Sequence, residues 1–268
     1  MHVLSVVGPE AAARAVADRL ADGLGETDRV AEICRTETDA ERRDDPADAT
    51  YELDSEGWTA AGRDRSLSDL LADLAPDYDY ALLVGFPEAD VPRVVVESER
   101  SDDDAPGETI VRADATEEID LAEVRAQLDD TEPYETLDSL VAEVKRSDDA
   151  SYSGAIATFT GRVRAKESED DDPTEYLEFE KYERVADERM AAISAELEER
   201  EGVLDVVMHH RTGLIEYGED IVFVVVLAGH REEAFRTVED GIDRLKDEVP
   251  IFKKEVTTDE QFWVHEQS

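Results

Sequence analysis

Two continuous apolar runs, Tyr80 to Val84 and Ile221 to Leu227, interrupt a chain in which 37% of the residues are charged. A strand that is apolar at every position has no face to offer water, so layers must cover both sides of it. The run at Tyr80 ends at Gly85. Around it, His2 to Val7 enters the turn Gly8-Pro9-Glu10 and an alanine-rich helical segment with Val16 and Leu20 four apart. Val30 to Cys34, Val94 to Val96 and Thr109 to Val111 are short strand candidates. Leu67, Leu70, Leu71 and Leu74 mark a helix that stops before Pro76, and Ile119, Leu121, Val124 and Leu128 mark another. Strands alternating with helices predict an α/β domain with a mainly parallel sheet over residues 1–128.

A second organisation follows. Residues 129–149 read as an acidic linker and a lead-in helix carrying Leu137, Leu140, Val141 and Val144. Residues 150–268 read as an α+β domain. In it, Gly154 to Val163 and the alternating Glu175 to Tyr182 are predicted strands, with the charged segment Lys166 to Pro173 between them as a loop. A helix over Arg184 to Arg200 precedes the buried strands Val203 to Met208 and Ile221 to Leu227, which a loop holding Gly213 and Gly218 separates. The last helix, Arg231 to Glu248, carries Phe235, Val238, Ile242, Leu245 and Val249 at steps of three and four, the spacing of a stripe packed on a sheet. Pro250 ends it and turns the chain into Ile251-Phe252-Lys253-Lys254. The polar stretches Glu37 to Asp48 and Asp102 to Pro106 read as a loop and a turn.

The chain has 71 acidic and 28 basic residues among 268, a formal net charge of -43. Such a surface repels phosphate backbones and anionic lipids, so neither nucleic acid nor a membrane is an expected partner. No run approaches the roughly 18 apolar residues of a membrane span, and no basic-then-apolar leader opens the chain, which predicts a cytoplasmic protein. Acid spread over both halves fits a halophilic protein, because concentrated salt screens self-repulsion. Cys34 is the sole cysteine, so neither a disulfide framework nor a multi-cysteine metal site is available. No metal and no resident cofactor is expected.

Basic residues are distributed unevenly. All six lysines lie at or after Lys145, and Lys246, Lys253 and Lys254 fall within nine positions. Arg164 follows the first strand of the second domain. His209, His210 and Arg211 end another strand, and His230 and Arg231 begin the last helix. Cations at strand ends and helix starts, in so acidic a chain, suggest a positive pocket for a phosphate or a carboxylate terminus. Each also has a plain structural reading: Arg164 pairing with the acidic loop, His209 or His210 satisfied at a strand end, His230 capping a helix, Arg231 solvated. At the first turn, the register Gly8, Ala13, Arg14, Ala15 meets a phosphate-cradling motif only at its first glycine; the second glycine, the lysine and the hydroxyl are missing.

Residues 1–128 resemble the adapter family of molybdopterin-guanine dinucleotide biosynthesis, carried by Tyr80-Ala81-Leu82-Leu83-Val84-Gly85-Phe86 and Val91-Pro92-Arg93. The loss at Ala13, Arg14 and Ala15 implies a degenerate phosphate loop and a scaffold. Residues 150–268 resemble the large, catalytic subunit of molybdopterin synthase. The carrying segments are Gly154 to Arg164, His210-Arg211-Thr212-Gly213, Gly218 to Val224, His230-Arg231, and Lys246 through Pro250 to Glu255, with Trp263 fitting the tail.

That resemblance implies sulfur transfer to cyclic pyranopterin monophosphate, forming the molybdopterin dithiolene. The sulfur would arrive as the C-terminal glycine thiocarboxylate of a small ubiquitin-like carrier. It implies a central homodimer with one small subunit at each end, a heterotetramer whose pocket receives residues across the dimer. By the match, Lys246 and Lys253 are catalytic, and Phe159, Arg164, His230, Arg231 and Lys254 bind substrate, with His210 and Arg211 in second rank. Lys246 is the first choice for proton transfer and Lys253 for stabilising developing negative charge, with neighbouring ammonium groups lowering each other's pKa. An amide between Lys246 and the carrier tail is chemically open as a side reaction. The change to Ile251 before Phe252 departs from the family's aromatic stretch. Two rivals stand: a non-catalytic scaffold for a ubiquitin-like partner, and a GTP-binding adapter of molybdenum cofactor biosynthesis.

Overall fold

The computed structural model describes residues 1–36, 47–55, 57–96, 106–166, 168, 173–257 and 261–264. Within these the chain divides into two compact units, Met1–Thr136 and Leu137–Ser268. Most of the predicted loops at 37–48, 102–106 and 166–173 lie outside the described residues. No described helix is long and apolar enough to cross a membrane.

Unit 1 contains β1 (His2–Val7), α1 (Glu10–Leu24), β2 (Val30–Cys34), β3 (Ala49–Leu53), β4 (Trp58–Gly62), α2 (Leu67–Leu74), β5 (Tyr80–Val84), β6 (Arg93–Val96), β7 (Thr109–Ala113) and α3 (Leu121–Asp129). Five strands form a parallel sheet in the order β2-β5-β1-β6-β7. The apolar run of β5 sits one strand in from the edge and is buried throughout. Because side chains alternate along it, Leu82 and Val84 meet α1 and α3 through Val16, Leu20, Val124 and Leu128, whereas Ala81 and Leu83 meet α2 through Leu71. Ser66 and Asp69 form a reciprocal cap that starts α2, and Asp120 caps α3. The hairpin β3–β4 escapes prediction because its residues are exposed on both faces and leave no buried alternation in the sequence.

Unit 2 contains α4 (Leu137–Lys145), β8 (Ala155–Arg162), β9 (Thr174–Lys181), α5 (Glu183–Glu198), β10 (Val203–His210), β11 (Gly213–Glu216), β12 (Asp220–Ala228), α6 (Arg231–Glu248), β13 (Ile251–Thr257) and β14 (Gln261–Val264). One antiparallel sheet runs β10-β12-β8, and a second runs β11-β9-β13-β14. β12 explains its own sequence. Phe223, Val225 and Leu227 pack under α4, while Val222, Val224 and Val226 face the core shared with α5 and α6. Both faces are covered, so every position from Ile221 to Ala228 is apolar.

The structure corrects two sequence expectations here. The segment after Pro250 is the strand β13 rather than a simple turn, and the loop with Gly213 contains β11. Both pair with β9, residue for residue across Leu177 to Phe179. Such short strands gain order from a partner distant in sequence, which no local pattern announces.

Candidate functional site

The last helix sets the geometry of unit 2. α6 begins where β12 ends, and the crossing is tight: a Cβ on Gly154 would lie 2.4 Å from the Gly229 carbonyl oxygen. α6 then runs back over β12 and β8. Gly241 lies over Val224, with an added Cβ 3.0 Å from its Cγ1, and Val224 pairs with Phe159 of β8. Lys246, five residues further on, therefore lies beyond Phe159 toward Gly161 and Arg164. It is exposed and makes no ion pair among the described residues.

β13 returns directly from that helix end. Lys253 falls in one row with Phe179 of β9 and Gly213 of β11, and the ring of Phe179 meets His210 edge-on at 4.9 Å. His210 ends β10 opposite Val222, at the same end of the sheet as Gly161. Arg164, Lys246 and Lys253 thus lie on segments that lead toward the end of unit 2 where β8 finishes, and Phe159 stands midway along β8. Phe159 is half-buried against the core, Arg164 is exposed and Lys253 is half-buried.

Other residues expected at the site are placed elsewhere. His230 caps the start of α6 without a side-chain cap bond, and Arg231 is its first residue; both are exposed. Fifteen residues separate Arg231 from Lys246, about 22 Å at 1.5 Å per residue. One copy of the chain does not bring these pairs together. Lys254 alternates to the opposite face from Lys253, where its Nζ donates to Glu178 at 2.9 Å. That hydrogen bond holds the Lys254 ammonium above the usual lysine range.

His210 is buried and its Nδ1 lies 2.8 Å from the Arg211 carbonyl oxygen. Arg211 donates to the Asp220 carbonyl oxygen at 2.9 Å and stands 3.8 Å from Glu219. This pair is engaged in holding the turn between β10 and β12. His209 points the other way and stacks near Phe223, with ring centroids 6.4 Å apart. Among the described residues no group of three or more His, Cys, Asp or Glu is placed to hold a metal.

Tyr182 and Phe252 form an exposed edge-to-face pair at 5.7 Å beside Lys253. Their nearness follows from the β9–β13 register, which sequence spacing does not reveal.

In unit 1, the turn after β1 is closed. A Cβ on Gly8 would stand 2.3 Å from the Val96 carbonyl oxygen, so glycine is needed for close packing against β6. Ala13 is buried and Ala15 exposed. Arg14 turns to Glu10 at 3.6 Å and to the Cys34 sulfur at 3.7 Å. Glu10 puts an acid in the first turn of α1, where an anion would otherwise be attracted. Arg93 is buried and stitched to β7 and its approach, through Thr109 Oγ1 at 2.8 Å and the Pro106 carbonyl oxygen at 3.1 Å.

Comparison with known proteins extends this picture. The family model described as MoaE protein matches residues 130–248. A "Probable molybdopterin synthase" of Haloferax volcanii is 56% identical over 268 residues, covering 99% of this chain and 100% of the relative. The "Molybdopterin synthase catalytic subunit" of Bacillus subtilis is 39% identical over 115 residues, 43% of this chain and 72% of its own. A solved molybdopterin synthase from Staphylococcus aureus is 36% identical over 43% of this chain and 82% of its own, with a TM-score of 0.41. A MobB protein homologue from Bacillus stearothermophilus is 24% identical over 35% of this chain and 63% of its own, at a TM-score of 0.30. Both scores are too low to carry a structural argument. The full-length match does carry one, and by it the chain belongs to the molybdopterin synthase family, enzymes of sulfur transfer.

Proposed function

We propose that residues 150–268 transfer sulfur from the C-terminal glycine thiocarboxylate of a small ubiquitin-like carrier to cyclic pyranopterin monophosphate, forming the molybdopterin dithiolene. The observation that supports the reading is the path α6–Pro250–β13, which carries the chain from Lys246 to Lys253 beside β9, while β8 carries Phe159 at its middle and leads into Arg164 just past its end. Arg164 binds the substrate phosphate through a charge-assisted contact, and Phe159 walls the pterin. Lys246, on the helix end and without an ion pair among the described residues, moves the proton at the carbon receiving sulfur. Lys253 steadies the negative charge that develops as the phosphate ring opens.

The separation of about 22 Å along α6 gives His230 and Arg231 a role only through a second copy. β8 is an edge strand, with Ile156 and Thr158 exposed along it. Its first residue lies beside the start of α6 and its last lies toward Lys246. Two copies paired antiparallel through β8 would exchange these ends, bringing the second copy's His230–Arg231 pair to Lys246 and Lys253. In this reading the working form is a central homodimer with two carriers. Residues 1–128 are an adapter-like scaffold with a degenerate phosphate loop, and residues 129–149 connect it.

The test is reconstitution with thiocarboxylated carrier, with product read by mass spectrometry. Lys246→Ala is expected to lower turnover at least ~100-fold, the usual scale for a proton-transfer group. Full turnover by folded Lys246→Ala would reject the assignment. Mixing inactive Lys246→Ala with inactive His230→Ala should restore a fraction of activity, because hybrid dimers rebuild one intact site; no recovery on mixing would reject the shared pocket.

A further inference from the structure

α5 and α6 pack side by side, and a cluster of charges joins them at the end of α6 that carries Lys246. Arg244 grips Glu248 with two hydrogen bonds, Nε to Oε1 at 2.7 Å and Nη2 to Oε2 at 3.4 Å. Arg189 of α5 reaches the same Oε2. Glu196 of α5 closes the ring, accepting from Arg244 at 2.5 Å and lying 3.6 Å from Arg189. The Arg244 hydrogen bond holds the Glu196 carboxyl below the usual carboxylate range.

Glu248 is badly placed for the helix alone. It is the last residue of α6, where unpaired carbonyls form the negative end of the helix dipole and an acid is disfavoured. Basic groups are scarce in a chain with 28 of them against 71 acids, yet two arginines converge on this carboxylate. An isolated surface pair contributes little, but a bidentate arginine–carboxylate grip inside a network constrains geometry. Here it fixes the rotation and height of the last turn of α6 against α5. Lys246 is two residues before Glu248, and Pro250, two residues after, opens the path to Lys253.

We propose that Glu248 is a positioning residue: gripped by Arg189 and Arg244, it holds the last turn of α6 so that Lys246 and Lys253 keep one mutual orientation toward the reacting pterin. This rests on the assignment of those two lysines made above. Glu248 touches no substrate and exchanges no proton in the reaction; its effect passes through the helix end.

The test uses the full chain with thiocarboxylated carrier and compares Glu248→Gln, Glu248→Asp and Arg200→Met. Arg200 is the control, because it meets Asp240 at 2.6 Å and so ties the middle of α6, rather than its end, to the chain just past α5. Glu248→Gln should lower kcat about 10-fold with KM within about twofold, since orientation acts on the chemical step more than on binding. Glu248→Asp should recover part of that loss, and Arg200→Met should stay within about twofold of the parent. Should Glu248→Gln fail to fold, Arg189→Met takes its place with the same expected loss of kcat.

An equal loss in Arg200→Met would overturn the proposal, because any tie between the helices would then suffice. Unchanged kcat in Glu248→Gln while Lys246→Ala is inactive would overturn it and leave the lysine assignment standing. Full turnover by Lys246→Ala would overturn both.

Discussion

Unit 1 and unit 2 treat positive charge differently. Unit 1 has no lysine, and several of its described arginines are drawn into the fold. Arg19 donates to the carbonyl oxygens of Thr116 and Ile119. Arg125 pairs with Asp28 at 2.8 Å and with Asp129 at 3.6 Å, and Arg35 lies over the Phe86 ring while pairing with Glu88. Unit 2 holds all six lysines, and it leaves His230, Arg231 and Lys246 exposed without an ion pair among the described residues. In a chain of net charge -43, acids are abundant near any surface cation. Cations kept without one are available to an incoming anion; Arg112 of unit 1 is exposed in the same way, and unit 2 differs in placing such cations at the residues proposed for its site.

The largest effect expected from this contrast is in turnover. Residues 137–268 should convert substrate within about threefold of the full chain, since the site groups and their supporting network all lie there. Residues 1–136 should make no product and give no magnesium-dependent heat on titration with GTP. Tight GTP binding by unit 1 would break the comparison and revive an adapter function.

Next in size are two matched substitutions. Gly8→Ala and Gly154→Ala each drive a new Cβ against a backbone oxygen, at 2.3 and 2.4 Å. Each should destabilise its own unit by about 1–3 kcal/mol, the usual range for overpacking. Calorimetry would show which transition moves. A loss confined to unit 1 in both variants would show that the crossing at Gly154 is not needed for unit 2.

The smallest effect is the pH dependence of unit 1. Burial, helped by the N-terminal ammonium, holds His2 below its ordinary 6.5. The unfolded chain takes up that proton first, so this contribution is present above pH 6.5 and is lost as pH falls. Burial, with Glu32 beside the thiol, pushes Cys34 from 9.0 up to about 11. Burial and the hydrogen bond to Asp129 push Tyr80 from 10.0 up to about 12. The unfolded chain ionises these groups first, so their contributions are present below pH 9 and are lost as pH rises. Together they give unit 1 a plateau between roughly pH 6.5 and 9, measurable by urea titration across pH. A stability maximum outside that window would show that other groups govern unit 1.

Much of the fold is legible along the chain because burial writes itself into local pattern. The runs in β5 and β12 require cover on both faces, and the stripe through Phe235, Val238, Ile242 and Leu245 requires a helix on a sheet. The stripe misleads at one point: Phe235 is 64% exposed, so spacing alone does not tell which apolar residue meets the core. The strands β11 and β13 are hidden for the opposite reason, since their order comes from pairing with β9.

The sequence by itself determined the two-unit organisation of patterns, the acidity, the confinement of lysine to one half and the residue types able to bind an anion. Tertiary structure alone decided which of those cations meet. It separates Lys253 from Lys254 because neighbours on a strand face opposite ways. It separates His230 and Arg231 from Lys246 because a helix is rigid along its length. It ties Glu248 of α6 to Arg189 of α5 because charges distant in sequence become neighbours only when the core brings their helices together.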